Sequence, residues 1–155
     1  MSMEIRAANL EDLEAVRSLI IGAGLPQDGL EDQFGSGYAV AVESGRLVGV
    51  AAVERYASFG LLRSVVTSAE QRGRRIGEAL VHDRLAWAER AGLRSIYLLT
   101  TTAAGYFPRL GFEVVERAAV PPEIRASPEF STVCPSSAVV MRLALPRPIE
   151  EEASP

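Results

Sequence analysis

The sequence predicts a single α/β domain built on seven strands, and three observations carry that prediction. The strongest is the stretch from Leu61 to Ala91. There an apolar strand, Leu61 to Thr67, runs into a polar arginine- and glycine-bearing turn, Glu70 to Arg75, and then into a long helix from Ile76 or Gly77. Ile76, Leu80, Val81, Leu85 and Ala88 give that helix one apolar face, while Glu78, Asp83, Glu89 and Arg90 fall mostly opposite. The second observation is the order of elements: strand, two helices, three strands, the long helix, strand, short helix, two strands. The third is size. A chain of 155 residues, 48% hydrophobic and 23% charged, forms one soluble-type domain that buries about two thirds of its unfolded surface.

Each element has its own signal. Met3 to Ala7 is the first strand. Asn9 caps the next helix with Asp12 as the acidic partner of a variant capping box, and Leu10, Leu13, Val16, Leu19 and Ile20 form its core face. Gly22 and Gly24 end it. Pro26 to Phe34 reads as a second short helix, with Leu30 and Phe34 four residues apart. Tyr38 to Val42 and Leu47 to Glu54 are strands joined by a turn at Glu43 to Arg46, with Gly45 in a left-handed position. Tyr56 to Gly60 reads as a loose connection. Ser95 to Thr101 is the fifth strand, an apolar run of the kind buried on both faces. Ala103 to Leu110 is a short helix stopped by Gly111, followed by strands at Glu113 to Glu116 and Ala138 to Leu143. The domain therefore spans 1–145, and 146–155, with its run of three glutamates, is expected to be a flexible tail.

Composition excludes several classes. A net charge of -4 argues against nucleic acid as the main partner. No apolar run reaches the roughly 18 residues of a membrane span, and Met1 to Arg6 lacks the basic start of a signal peptide, which makes a cytoplasmic location the default and excludes a membrane partner. A single cysteine, Cys134, rules out an internal disulfide. With one histidine, His82, the chain also has too few soft ligands for a structural zinc, so no metal is expected. The oligomeric state is left open, a homodimer included.

The turn before the long helix is the outline of an anion site. First-turn amides of a helix have no internal partner and together carry about half a positive charge, so a phosphate there is satisfied by backbone alone. Gly73 and Gly77 allow close approach, and Arg72, Arg74 and Arg75 add three permanent cations. A nucleoside-triphosphate loop needs G-x-x-x-x-G-K-[ST], yet all 16 basic residues are arginine. A dinucleotide fingerprint needs G-x-G-x-x-G, and the glycine spacing is wrong for it. What remains, Arg72 to Gly77, resembles the acetyl-coenzyme A loop of the GNAT N-acetyltransferases, [RQ]-x-x-G-x-[GA], with Arg75 standing where that pattern has its middle glycine. The element order is also the GNAT order, and Phe107 to Phe112, FPRLGF, resembles the family's [FY]-x-x-x-G-F signature. More narrowly, LLRSVV, YLLTTTAAGYFPRLGF and VPPEIRASPEFSTVCPSSAVVM resemble the GNAT subfamily that accompanies arsenic-resistance operons, a label drawn from gene neighbourhood.

The resemblance covers about Met3 to Leu143 and implies a single central mixed seven-stranded sheet flanked by helices, with acetyl-CoA as cosubstrate. It implies that the fourth strand bulges near Val65, offering backbone amides to the acetyl oxygen, and that Val65, Val66 and Thr67 pair with the pantetheine arm as an added strand would. The same resemblance puts Arg72, Gly73, Arg74, Arg75, Ile76 and Gly77 around the diphosphate, and Thr102 and Phe107 along the cofactor.

Acetyl transfer to an amine also asks for a free amine and a proton for the leaving thiolate. Many family members carry a tyrosine general acid where this chain has Phe107, which has no proton to donate. Tyr106 is adjacent, but one helical step turns a side chain by about 100 degrees, so it is a candidate acid only from a different direction. An α-amino group of pKa about 8 is roughly 10% free at pH 7, a penalty near 1.4 kcal/mol, whereas a lysine-type amine faces about 4.6 kcal/mol. Glu54, at the end of the third strand, is the candidate base or amine anchor, the alternative being a surface carboxylate at a strand end. Arg63, a cation within an apolar strand, needs an anionic partner: Glu54 or an acceptor's carboxylate.

Two stretches border the expected acceptor pocket. In the first, Gln27, Asp28 and Glu31 are either substrate contacts or a solvated face. The second, Val120 to Ser137, is long for a connection without strands, with Pro122, Ser127 and Pro128 signalling two short helical turns. Laid over the pocket, it brings Glu129, Phe130, Cys134 and Ser137 to the acceptor. Cys134 has no histidine or lysine to lower its pKa and suits a pocket wall better than a nucleophile. The reading is an N-acetyltransferase acting on a small, carboxylate-bearing amine. The rivals are a non-catalytic acyl-CoA sensor and a protein N-acetyltransferase.

Overall fold

The structure, a computed structural model, describes residues 3–25, 27–68, 75–100, 105–128, 130 and 138–147. Seven strands form one sheet in the order β1-β2-β3-β4-β5-β7-β6. They are β1 (Met3–Ala7), β2 (Tyr38–Glu43), β3 (Arg46–Tyr56), β4 (Phe59–Thr67), β5 (Ser95–Thr100), β6 (Glu113–Val114) and β7 (Val139–Ala144). Every neighbouring pair is antiparallel except β4 and β5, which run parallel across the connection made by the long helix. The sheet is mixed, as the resemblance implied.

Helices cover both faces. The long helix α3 (Ile76–Arg90) buries Ile76, Leu80, Val81, Leu85 and Ala88 against Ala39, Ala41 and Ala51 at one end and Val53, Leu62 and Ile96 at the other. Small alanines on the strands let the helix lie close. Gly92, at φ 81, ends it in the left-handed conformation, and the amide of Leu93 returns to the carbonyl of Ala88 at 3.1 Å. The opposite face carries α1 (Leu13–Gly22), α2 (Leu30–Gln33) and α4 (Pro122–Arg125). Val16 and Ile20 of α1 and Leu30 of α2 pack on Tyr38, Val40, Val50 and Ala52, while Ile124 packs on Leu61, Tyr97 and Val140. The capping box forms as read: Asn9 accepts from the amide of Glu11, and Asp12 accepts from the amide of Asn9 at 2.8 Å and from Arg6.

Several boundaries differ from the sequence reading. The helix expected over Pro26 to Phe34 shrinks to the single turn Leu30–Gln33, because Gly29 at φ 84 breaks the chain before it and Phe34 is extended; Pro26 lies outside the described residues. The loose connection at Tyr56 to Gly60 is a tight hairpin, since β3 runs to Tyr56 and β4 starts at Phe59, with Ala57 left-handed at φ 59. Of the helix expected at Ala103 to Leu110, residues 103 and 104 lie outside the described residues, and the rest holds a 3-10 turn, Phe107–Leu110, with Pro108 in its first positions and Gly111 as its stop. The sixth strand is only Glu113–Val114. Within the segment assigned to the tail, Arg147 is held by a two-pronged contact to Glu89 on α3, 2.9 Å on each side, and residues 148–155 lie outside the described residues. Among the described residues no helix is long and apolar enough to cross a membrane, and no cluster of His, Cys, Asp or Glu could hold a metal ion.

Candidate active site

The site is built on β4, whose two edges are both interrupted. Toward β3 the register slips: Val66 faces Val50 and Arg63 faces Ala52, so Ser64 and Val65 together oppose Ala51. This is a β-bulge, and Ser64 adopts φ 59, a left-handed conformation that a serine holds only at a cost of roughly 1–3 kcal/mol. Toward β5 the pairing ends early. Phe59, Gly60 and Leu61 pair with Ser95, Ile96 and Tyr97, after which the two strands part although both continue. The sheet is thus open along the backbone of Leu62 to Thr67, the segment that an extended ligand arm could pair with.

At the C-terminal end of this opening lies the start of α3. Arg75 is its N-cap, at φ 62 and ψ 24, with a side chain 84% exposed and 3.8 Å from Glu78. The glycine of the family pattern is therefore replaced by an arginine that keeps the left-handed backbone glycine would adopt. Arg75→Gly should leave stability within about 1 kcal/mol of wild type, because relief of the left-handed strain is offset by glycine's greater entropy loss on folding. Thermal denaturation and calorimetric titration with coenzyme A check this; the expected change in affinity is under about threefold. A Cβ on Gly77 would meet Val65 and Thr67 only at 3.9 Å, so the chain's own atoms leave room there.

Arg75 and Glu78 line a cavity of about 420 Å³ together with Tyr106, Arg109 and Leu110. The Tyr106 hydroxyl is buried and makes no hydrogen bond among the described residues. Burial, and after it the charge of Glu78, push its pKa up against the opposing pull of Arg109, so the phenol stays protonated at neutral pH. Phe107 points into the core, 5.1 Å from the Tyr106 ring and 5.6 Å from Phe112, with 8% of its surface exposed.

The opposite face of the sheet holds a buried polar cluster. Glu54, read as ending a strand, is interior to β3 and 0% exposed, which removes the surface-carboxylate alternative. Its Oε2 accepts from the Tyr38 hydroxyl at 3.0 Å and lies 3.4 Å from Nη1 of Arg63, and its Oε1 accepts from the Tyr56 hydroxyl at 2.8 Å. Arg63, 4% exposed, also donates from Nη1 to the backbone carbonyl of Asp28 at 2.6 Å. Burial and the Glu54 charge drive the Tyr38 phenol far above its ordinary pKa, keeping it a donor. Gln27 and Glu31 each bind Arg17, both at 2.7 Å, so their side chains are engaged within the α1–α2 region, and Asp28 serves Arg63 through its backbone.

The structure thus joins Glu54 to Arg63 and groups Arg75 with Tyr106, but Glu54 and Tyr106 lie on opposite faces of the sheet. Arg72, Gly73, Arg74, Thr102, Glu129, Cys134 and Ser137 lie outside the described residues. Sequence reasoning missed Tyr38 and Tyr56. Alternation offered a signal for Tyr56, two residues from Glu54 and so on the same face of its strand. Nothing local pointed to Tyr38, sixteen residues away.

A mixed sheet parted beside its parallel pair, a bulged strand lining the gap and a helix N-terminus closing one end of it frame a cleft for an extended ligand. Residues 9–112 match the Acetyltransferase (GNAT) family, and the chain belongs to it. Solved structures agree on the fold. Rv2747 from Mycobacterium tuberculosis, in complex with CoA, is 25% identical with a TM-score of 0.77, over 92% of this chain and 99% of that one. The ribosomal-protein-S18-alanine N-acetyltransferase of Escherichia coli is 16% identical with a TM-score of 0.73, over 96% and 97%. N-acetylglutamate synthase from Neisseria gonorrhoeae, complexed with coenzyme A and N-acetyl-glutamate, is 20% identical with a TM-score of 0.79; 95% of this chain matches 36% of that longer one. No curated protein sequence matches the chain.

Proposed function

We propose that this enzyme transfers the acetyl group of acetyl-CoA to the amine of a small acceptor that also carries a carboxylate. The observation that carries this reading is a roof over the Glu54 cluster. Gly29 comes so close to Pro128 that a Cβ on it would lie 3.2 Å from the proline ring and 3.7 Å from Nη1 of Arg63. The α1–α2 loop and the segment after α4 therefore meet above Arg63. Val120, Ile124 and Phe130 hold that segment down on Leu61 and Tyr97, and the Arg117 guanidinium lies over the Phe130 ring at 5.3 Å. A cover of this kind over the acceptor side suits a small molecule better than a polypeptide.

The carboxylate is argued from charge. Arg63 is the buried arginine on this face among the described residues, the other buried arginine, Arg84, being tied to the carbonyl of Ser36 from α3. A guanidinium recognises a carboxylate in a two-pronged geometry. The gonococcal synthase named above is complexed with an acidic N-acetyl amino acid, which is chemistry of this class. Glu129, Phe130 and Cys134 complete the pocket wall in this reading.

In this reading Glu54 takes the proton from the attacking amine, the bulge amides near Val65 hold the acetyl oxygen, and Tyr106, protonated and without a hydrogen bond among the described residues, is the proton donor on the cofactor side. Any connection to arsenic runs through an acetylated amine substrate, because the lone Cys134 cannot supply the several thiolates that trivalent arsenic prefers. A panel of acceptors with thiol release as readout tests the reading. Small amino acids are expected to turn over at least about tenfold faster, by kcat/KM, than their decarboxylated analogues or than peptides. Equal rates on peptides would overturn it, and coenzyme A binding without turnover on any amine would make the protein an acyl-CoA sensor.

A further inference from the structure

Glu54 has no surface of its own, so an acceptor amine bound outside the buried cluster does not hand it a proton in one step. Its three donors differ in what they reach. Tyr38 is 0% exposed and Arg63 nearly so. Tyr56 is half-buried, and its ring packs beside Leu61, Val120, Ile124 and Phe130, the cluster that floors and roofs the acceptor side. Its hydroxyl, 2.8 Å from Glu54 Oε1, is thus the contact that links the carboxylate to a partly exposed side chain.

We infer that Tyr56 relays the acceptor's proton to Glu54. A hydroxyl gives and takes a proton on the same oxygen. As the N–H bond of the acceptor breaks, an O–H bond forms on the Tyr56 oxygen, and the proton already there passes to Glu54 Oε1. One proton moves from ammonium to carboxylate, and the phenol ends neutral. The inference rests on Glu54 as proton acceptor, and it makes Tyr56 the residue that sets which amines can be deprotonated. The titratable groups around it are Tyr38 on β2, Arg63 on β4 and Tyr97 on β5, with Arg117 over Phe130 on the covering segment. Tyr38 and Arg63 act on the carboxylate, and the other two pack with the same apolar cluster.

The test uses Tyr56→Phe with Tyr38→Phe beside it. Each removes one phenol from Glu54, but only the first cuts the path. Tyr56→Phe should lower kcat by about tenfold or more at pH 7 while leaving the KM for acetyl-CoA within about twofold. The defect should shrink as pH rises or as the acceptor amine becomes less basic, since a free amine needs less help. Tyr38→Phe should lower the melting temperature and, by removing one donor to the carboxylate, move the pH profile as a whole, without the dependence on acceptor basicity that marks Tyr56→Phe. A Tyr56→Phe enzyme with the wild-type pH profile, or two variants with the same profile, would overturn the relay. If Glu54→Gln is inactive while Tyr56→Phe behaves as wild type, the relay alone fails. If Glu54→Gln is fully active, the base assignment fails first.

Discussion

Glu54→Gln is expected to reduce kcat by about 10²-fold or more with every acceptor, while the affinity for coenzyme A stays within about twofold. General base catalysis contributes typically 10²–10⁴ in rate, and glutamine keeps the shape of the side chain but does not take up a proton at neutral pH. The cofactor side is insulated from the change, because the Arg75, Tyr106 and Arg109 cavity belongs to the other face of the sheet. Steady-state kinetics alongside calorimetric titration with coenzyme A make the comparison. A loss below about threefold would remove Glu54 from the chemistry. Stability should fall too: three donors converge on this carboxylate, and an amide NH2 aimed at any of them leaves a buried group unsatisfied, at about 1–3 kcal/mol.

Arg63→Met is the change with the largest expected effect on the fold. It leaves the buried Glu54 carboxylate with the Tyr38 and Tyr56 hydroxyls as its partners among the described residues, and it cuts the 2.6 Å tether to Asp28 that holds the α1–α2 loop. Removing one partner of a buried ion pair costs about 3–5 kcal/mol. In a chain of this size that lowers the melting temperature by roughly 6–20 °C. Adding Glu54→Leu should restore part of that stability without restoring activity, because the cost arises from the stranded charge and not from lost packing. The milder Arg63→Lys keeps a charge but loses the planar fork; it should raise the KM for an acidic acceptor well above any effect on acetyl-CoA. Equal effects on both substrates would take Arg63 out of acceptor binding.

Most of the framework was legible because its signals are local. The apolar run at Leu61, the spacing of Ile76, Leu80 and Leu85 and the capping box at Asn9 each express one element's own period or end chemistry. The site was less legible because it depends on register. Nothing in LLRSVVT marks Ser64 as the residue that turns left-handed; that follows from which residue of β3 stands opposite. Glu54 looked like a strand end because the hairpin at Ala57 was read as a loose connection, and two more residues of β3 bury it. Its link to Tyr38 joins two adjacent strands, and Gly29 meets Pro128 across 99 positions of sequence, beyond the reach of any short window.

The parting of β4 from β5 has a further consequence. An unfilled row of amides is ordinarily an invitation to other polypeptides, and proteins protect the rims of their sheets against it. Here that row lies in the middle of the sheet, with β1 to β3 on one side and β5 to β7 on the other, so a neighbouring molecule cannot dock a strand there without first prying the protein apart. Interior placement lets the enzyme keep a hungry stretch of backbone ready for a slender guest while hiding it from fibril growth.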